Sequence, residues 1–260
     1  MTTGKTGMSL TGNTLPMKIN NLPIGPGAEC GYTERCAADP LHPYDGVNLC
    51  HYTNDSLHHV AECRQEFAQK LGVQVSALII PRQAHTTNVA VINSPAPAVL
   101  DNVDALVTDR KDIVLCINTA DCVPLLLHDT KAGVIAACHA GWRGAVNGVV
   151  QNTVAAMLSL GASPEHIQAA MGPCICPNCF EVGPEVADRF QQWPDTIITS
   201  AEWSKPHIDL PAVIAHILTQ QGINHITPPP ACTRCSWRTL FSARKLGINS
   251  GRMLSFIRIM

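Results

Sequence analysis

Residues 113–144 read IVLCINTADCVPLLLHDTKAGVIAACHAGWRG. Three apolar runs, 113–117 (IVLCI), 123–127 (VPLLL) and 134–138 (VIAAC), have the length and branched-aliphatic content of buried strands. The last two flank DTKAG, which predicts a hairpin. After Gly141 the pattern becomes helical. A long helix is expected from about Arg143 to Leu160, with Gly161 ending it.

Outward from this stretch, strands are expected at 76–80, 88–92 and 103–107, and a closing strand at 253–259. Residues 55–71 carry an apolar stripe of Leu57, Val60, Ala61, Phe67, Ala68 and Leu71, which predicts a helix capped by Asp55 and followed by Gly72. Ser163-Pro164-Glu165 has an N-cap residue, a proline at the first helical position and a first-turn acid, and so predicts a helix over 164–170. Further helices are expected at 184–192 and 211–221, the latter after a short strand at His207–Leu210. Residues 18–52 are rich in turn formers and suit short strands and loops. Residues 1–17 lack periodicity and read as a disordered tail. With no repeat and no linker, the chain is expected to form one α+β domain over 18–260. A mixed central sheet would be built from hairpins, with helices outside.

A chain of 260 residues, 46% hydrophobic and 15% charged, can bury a core without disulfide staples. The net charge of −2 provides no general field for nucleic acid or anionic lipid, and only local basic groups such as Arg143, Arg234, Arg238, Arg244 and Lys245 suit phosphate. No run approaches the roughly 18 apolar residues of a membrane span, and the first residues lack a signal-peptide core. The 12 cysteines therefore read as cytoplasmic, reduced thiols, with Cys30, Cys36, Cys50, Cys63, Cys116 and Cys138 as small buried hydrophobes.

Three residues beside the apolar runs stand apart: His85 in PRQAHTTNVAVI, Cys122 in NTADCVPLLLHD, and His139 in AACHAGWRGAVNGVV. Imidazole and thiolate suit Zn²⁺ or Cu, and three protein ligands leave a coordination position open. Gly141 and Gly144 permit a tight turn into a helix start, where Arg143 adds a fork suited to phosphate. Asp121, next to Cys122, is a candidate proton carrier. A rival metal reading comes from Cys174, Cys176, Cys179, Cys232 and Cys235. Two Cys-x-x-Cys pairs, 176/179 and 232/235, are compatible with a structural zinc, although their separation is long for a zinc ribbon.

Thr119-Ala-Asp-Cys122 followed by His139-Ala-Gly-Trp-Arg-Gly144 closely resembles the signature of the YfiH-like family. Its members are named multicopper polyphenol oxidase or laccase domain proteins, and also purine nucleoside phosphorylases. Gln83-Ala-His85, Val47-Asn48-Leu49, Gly172-Pro-Cys-Ile175, Cys179-Phe-Glu-Val182, His207-Ile-Asp-Leu210, Phe241-Ser-x-Arg244 and Gly251-Arg-Met253 extend the resemblance over residues 20–260. Arg35-Cys-Ala-Ala-Asp-Pro departs from the family's Arg-x-Gly-Gly-Val-Ser turn.

The resemblance implies a single domain of cysteine-hydrolase-like architecture, with His85, Cys122 and His139 as zinc ligands. It implies phosphorolysis of purine nucleosides (adenosine, inosine, guanosine, methylthioadenosine), with associated adenosine deamination. Copper-dependent phenol oxidation is the alternative. The expected partners are then a small nucleoside and phosphate, with Arg35, Asn48 and Arg143 as candidate phosphate or substrate contacts. The 11 histidines contain no His-x-His pair of the kind a trinuclear copper cluster uses, so zinc is favoured over copper. A non-catalytic, zinc-stabilised binding module is a further alternative, distinguished by a closed four-cysteine site.

Overall fold

The computed structural model describes residues 16–95 and 100–260. In chain order the first strands are β1 (Ile19–Leu22), β2 (Ala28–Thr33), β3 (Leu78–Ile79), β4 (Val89–Val91), β5 (Ala105–Thr108), β6 (Val114–Thr119) and β7 (Val123–Asp129). They continue with β8 (Ile135–Ala140), β9 (Ile167–Met171), β10 (Ile197–Ile198), β11 (His207–Ile208), β12 (His225–Thr227) and β13 (Met253–Ile259). The helices are α1 (Leu57–Leu71), α2 (Trp142–Asn147), α3 (Val149–Ser159), α4 (Pro184–Ala187), α5 (Leu210–Gln220) and α6 (Ala243–Leu246).

The expected single central sheet is two mixed sheets. One runs β1-β2-β13-β6-β3, the other β12-β9-β7-β8-β5-β4, and β10 pairs with β11 apart from them. Period-2 alternation explains how the sheets stack. On β6, Leu115 and Ile117 join a core shared with Leu106, Leu126, Ile135 and Ala137 of the second sheet. The alternate residues Val114 and Cys116 face the other way, onto Phe67, Ala68 and Leu71 of α1. On β8, Ala136 and Cys138 face outward onto Val150 and Val154 of α3 and Val213 and Ile217 of α5. Helix, sheet, sheet and helix therefore form four layers, and both sheets are apolar on both faces. Phe67 is fully buried and meets Phe256 edge-on at 5.3 Å. Truncating such a residue to alanine costs about 3–5 kcal/mol.

β7 and β8 form the expected hairpin, with Pro124 opposite His139. β13 matches its predicted span and pairs with both β2 and β6. The helix expected over 143–160 is broken at Gly148, whose φ of 104° lies in the left-handed region open mainly to glycine. Residues 164–170 are not helical. Ser163-Pro164-Glu165 starts only one 3₁₀ turn, and Ile167–Met171 is then drawn between β7 and β12 as a buried strand, an override of local propensity by tertiary pairing. The helix expected at 184–192 shortens to α4 and a 3₁₀ turn. Ser56, not Asp55, caps α1. Met17 is buried and its N–H donates to Glu66; residues 1–15 of the expected tail lie outside the described residues. Cys30, Cys36, Cys50, Cys63, Cys116 and Cys138 are all buried free thiols. Among the described residues, no helix is long and apolar enough to cross a membrane.

Candidate metal centre

The chain passes from the first sheet to the second in two places, and each of these crossings carries a candidate ligand. His85 lies between β3 and β4, and Cys122 lies between β6 and β7. His139 comes from β8, directly beside the second crossing. The ligand atoms of the three residues all lie within 4.8 Å of one another. Cys122 Sγ is 3.8 Å from His85 Nε2, and the two imidazoles meet edge-on at 4.8 Å. Tetrahedral zinc, with bonds of about 2.3 Å to sulfur and 2.0–2.1 Å to nitrogen, needs S···N separations of roughly 3.6 Å. The donor set and its spacing fit such an ion.

Asp104 organises both histidines and carries no motif in the sequence. It is fully buried, just before β5. Its carboxylate takes the Nδ1 side of His139 at 2.8 Å, leaving Nε2 to face the centre. The same carboxylate accepts the backbone N–H groups of Ala84, His85 and Thr86, and the Thr86 hydroxyl. Burial opposes its charge, but His139 and the Thr86 donors hold it well below the usual carboxylate range. The loop so clamped places His85 at φ 60°. Gln83 adds a second clamp, its side chain making paired hydrogen bonds to the backbone N–H and C=O of Asn118.

Burial pushes the Cys122 thiol up, but the charge of His139 and hydrogen bonds to His139 and His85 outweigh it and bring it down to about 6. Burial pushes His139 down, but the Cys122 thiolate and Asp104 raise it to about 9. Cys122 and His139 thus stabilise each other's charged forms, and thiolate is the form that ligates metal. Gly141 is required by packing: a Cβ there would lie 2.9 Å from His85 Cδ2 and 3.0 Å from Cys122 Sγ.

A family model described as multi-copper polyphenol oxidoreductase laccase matches residues 29–260. The chain belongs to this family. It is 42% identical to a protein named adenosine deaminase RL5, from an unknown prokaryotic organism, over 89% of this chain and 94% of that one. It is 35% identical to one named purine nucleoside phosphorylase SCO2081, from Streptomyces coelicolor, over 89% and 95% of the two chains. Among solved structures, Neisseria meningitidis protein NMB0706 superposes with a TM-score of 0.82 at 30% identity, covering 94% of this chain and 99% of that one. Bacillus licheniformis YfiH superposes with a TM-score of 0.83 at 26% identity, covering 90% and 93%.

Of the other candidate residues in this family member, several stand away from the centre. Arg35 is fully buried under Phe241, and its guanidinium donates to the carbonyls of Asp45, Pro40, Trp237 and His42. That arrangement corrects the phosphate reading: Arg35 braces loops and presents nothing to a ligand. Asn48 is likewise buried. Its amide donates to Thr53 and Asp55, and its oxygen accepts the N–H groups of Cys50 and Arg252. Its reach toward the cavity is indirect, through Arg252. Arg143 is exposed and stacks on Trp142, outside the cavity wall. Both carboxylate oxygens of Asp121 are engaged, by the Thr233 hydroxyl and the Arg244 N–H. Asp121 is therefore built to hold the Cys122 turn and is poorly placed to carry a proton. The second cysteine group also assembles: the Sγ atoms of Cys176, Cys179, Cys232 and Cys235 converge within 4.8 Å, without Cys174.

The centre opens on a cavity of about 90 Å³ walled by residues that include Tyr52, Gln83, Asn118, Thr119, Ile248 and Arg252. The Asn118 amide and the Thr119 hydroxyl are buried there and find no hydrogen-bond partner within the protein. Tyr52 and Gln83 also wall an adjoining cavity of about 410 Å³ with Arg82, Asp101 and Asn102. The sequence reading missed Asp104, Asn118, Arg82 and Arg252. The one available signal was Asp104, a charged residue inside an otherwise apolar predicted strand.

Proposed function

We propose that this protein is a zinc-dependent purine nucleoside phosphorylase that also deaminates adenosine. The observation that carries the reading is the three-ligand centre of His85, Cys122 and His139, open on a cavity walled in part by polar side chains, in a chain whose relatives are named for those two activities. When bound there, zinc supplies a Lewis acid and no redox chemistry.

The chain's own residues bind and orient the substrate. A nucleoside would extend from the centre across Tyr52 and Gln83 into the wider cavity. The unpartnered groups of Asn118 and Thr119 offer a donor amide, a carbonyl oxygen and a hydroxyl to base or ribose. The exposed Arg82 on the cavity wall replaces Arg35 and Arg143 as the phosphate contact, while the half-buried Arg252 adds positive charge from a guanidinium held by the carbonyls of Ser250, Gly251 and Ile248. Phosphorolysis breaks the N-glycosidic bond at C1′, forms a C–O bond to phosphate and releases the free base. Asp104 keeps His139 oriented throughout.

Copper-dependent phenol oxidation is the second reading, favoured by the description of the matching family. Against it, only one of the two ligand clusters among the described residues contains histidine. Nor does the four-cysteine group favour a binding module, because the open three-ligand centre stands beside it. The test is to incubate purified, metal-assayed protein with adenosine, with and without phosphate. Phosphate-dependent adenine release supports the proposal. Inosine alone, formed without phosphate, would leave only deamination. Phenol oxidation at full copper occupancy without nucleoside turnover would overturn it.

A further inference from the structure

Packing accounts for Cys179, which is buried in an apolar cluster with Cys176 and Cys232 at its edge, but not for the convergence of Cys176, Cys179, Cys232 and Cys235 at one point. Five of the six thiols read as core hydrophobes, Cys30, Cys36, Cys63, Cys116 and Cys138, sit in apolar clusters. Of the four, Cys235 is exposed, and Cys176 and Cys232 are half-exposed. Residues 228–242, which carry one pair, contain no helix or strand of their own. A loop of that length needs a cross-link or a function to hold one shape.

The four Sγ atoms lie within 4.8 Å of one another, with Cys179 and Cys235 at 3.5 Å. A tetrahedral zinc tetrathiolate, with bonds of about 2.3 Å, places its sulfurs roughly 3.8 Å apart. Donors already point at the sulfurs. The N–H groups of Cys176 and Cys235 approach Cys232 Sγ at 3.3 and 3.5 Å, and the Arg234 guanidinium approaches Cys179 Sγ at 3.5 Å. Such N–H···S contacts suit anionic sulfur, which a site of four thiolates around one divalent ion still carries.

Two of the three residues that grip Asp121 are direct chain neighbours of these cysteines; the third is Arg244. Ile175, before Cys176, donates its N–H to the Asp121 carbonyl at 2.9 Å, and Thr233, after Cys232, donates its hydroxyl to the Asp121 carboxylate at 2.6 Å. Asp121 has φ 93°, a left-handed conformation costly for a residue other than glycine, and it precedes Cys122. We propose that Cys176, Cys179, Cys232 and Cys235 hold one Zn²⁺ as a closed, non-catalytic site that braces the strained turn presenting Cys122 to the first centre.

The test uses the full chain carrying His85→Ala and Cys122→Ala, which removes the first centre. That protein is expected to keep about one zinc per chain, with an all-sulfur X-ray absorption shell. Adding Cys232→Ser should remove this zinc. In the otherwise native chain, Cys235→Ser should speed amide exchange over residues 119–123 at least tenfold. Loss of all metal from the His85/Cys122 variant, iron in place of zinc, a mixed nitrogen–sulfur shell, or disulfides within the cluster would overturn the site. Unchanged exchange at 119–123 in Cys235→Ser would overturn the brace. The first measurement needs no cysteine of the cluster to be altered, so a misfolded cluster variant leaves it intact. Failure of nucleoside turnover would not touch it.

Discussion

Asp104 and His139 are joined twice: Asp104 Oδ1 takes the imidazole Nδ1 at 2.8 Å, and the Asp104 carbonyl accepts the His139 N–H at 2.7 Å. The first bond fixes the ring and its tautomer, and the second fixes the register of the strand carrying it. The remaining capacity of the carboxylate holds the backbone around His85. One buried acid therefore sets the position of two of the three candidate ligands. Asp104→Asn keeps the shape but removes the charge. It is expected to weaken metal binding about 10–100-fold, the usual effect of losing a carboxylate behind a ligating histidine. Competition against a chelator of known affinity measures this, and unchanged affinity would sink the role assigned to Asp104.

Gly141 gives a second prediction. A methyl group there must displace His85 or Cys122, whose atoms lie at 2.9 and 3.0 Å from the added carbon. The φ of Gly141 is −71°, which alanine adopts freely, so the backbone is not the obstacle. Gly141→Ala is expected to lower kcat/KM about 100-fold, as an ångström-scale misplacement of reacting groups can. Thermal stability should change by less than about 1 kcal/mol. Paired kinetics and melting curves decide it; an active Gly141→Ala enzyme would mean that the ligands do not sit against this glycine.

The sequence disclosed the candidate ligands and hid what holds them. His85, Cys122 and His139 stand next to strands that hydrophobic runs reveal, and ordered motifs link them. Asp104 acts across 18 to 20 residues on the Ala84–Thr86 backbone, a relation without periodicity or spacing. Arg35 is a phosphate candidate through its match to the arginine of the family's turn, and only its complete burial among backbone carbonyls argues against that role. The strand at Ile167–Met171 was hidden because a good helix-start signal precedes it, while its two strand neighbours are remote in sequence. Gly148 broke the long helix because a glycine inside a helical pattern is locally ambiguous until its φ is known.

Stability should depend on pH through His59. A hydrogen bond to Asp55 at 2.9 Å and a second to Cys63 outweigh burial and raise this imidazole to about 10. Because the folded value lies above the ordinary one near 6.5, its contribution is full below about pH 6.5 and is lost as pH rises toward 10. Asp55 also accepts from Asn48, whose oxygen takes the Arg252 N–H, so the pair connects α1 to the cavity wall. His59→Gln is expected to melt below the native protein at pH 6, with the gap narrowing steadily to pH 10. A gap independent of pH would show that His59 is not charged in the folded state.

Asn118 supplies the sharpest test of the proposed cavity. Its side-chain amide is buried and unpartnered while its backbone is fixed by Gln83. A buried polar group without a partner destabilises the free protein, by about 1–3 kcal/mol where water does not reach it. Removing the group should then leave stability unchanged or improve it, which is the opposite of the usual effect of a core truncation. If the amide exists to bind a nucleoside, Asn118→Ala must lose affinity in the same step. The expected result is a KM raised about tenfold, equivalent to roughly 1.4 kcal/mol, with a melting temperature at or above that of the native protein. Lower stability with an unchanged KM would mean that the amide serves the fold and not the substrate.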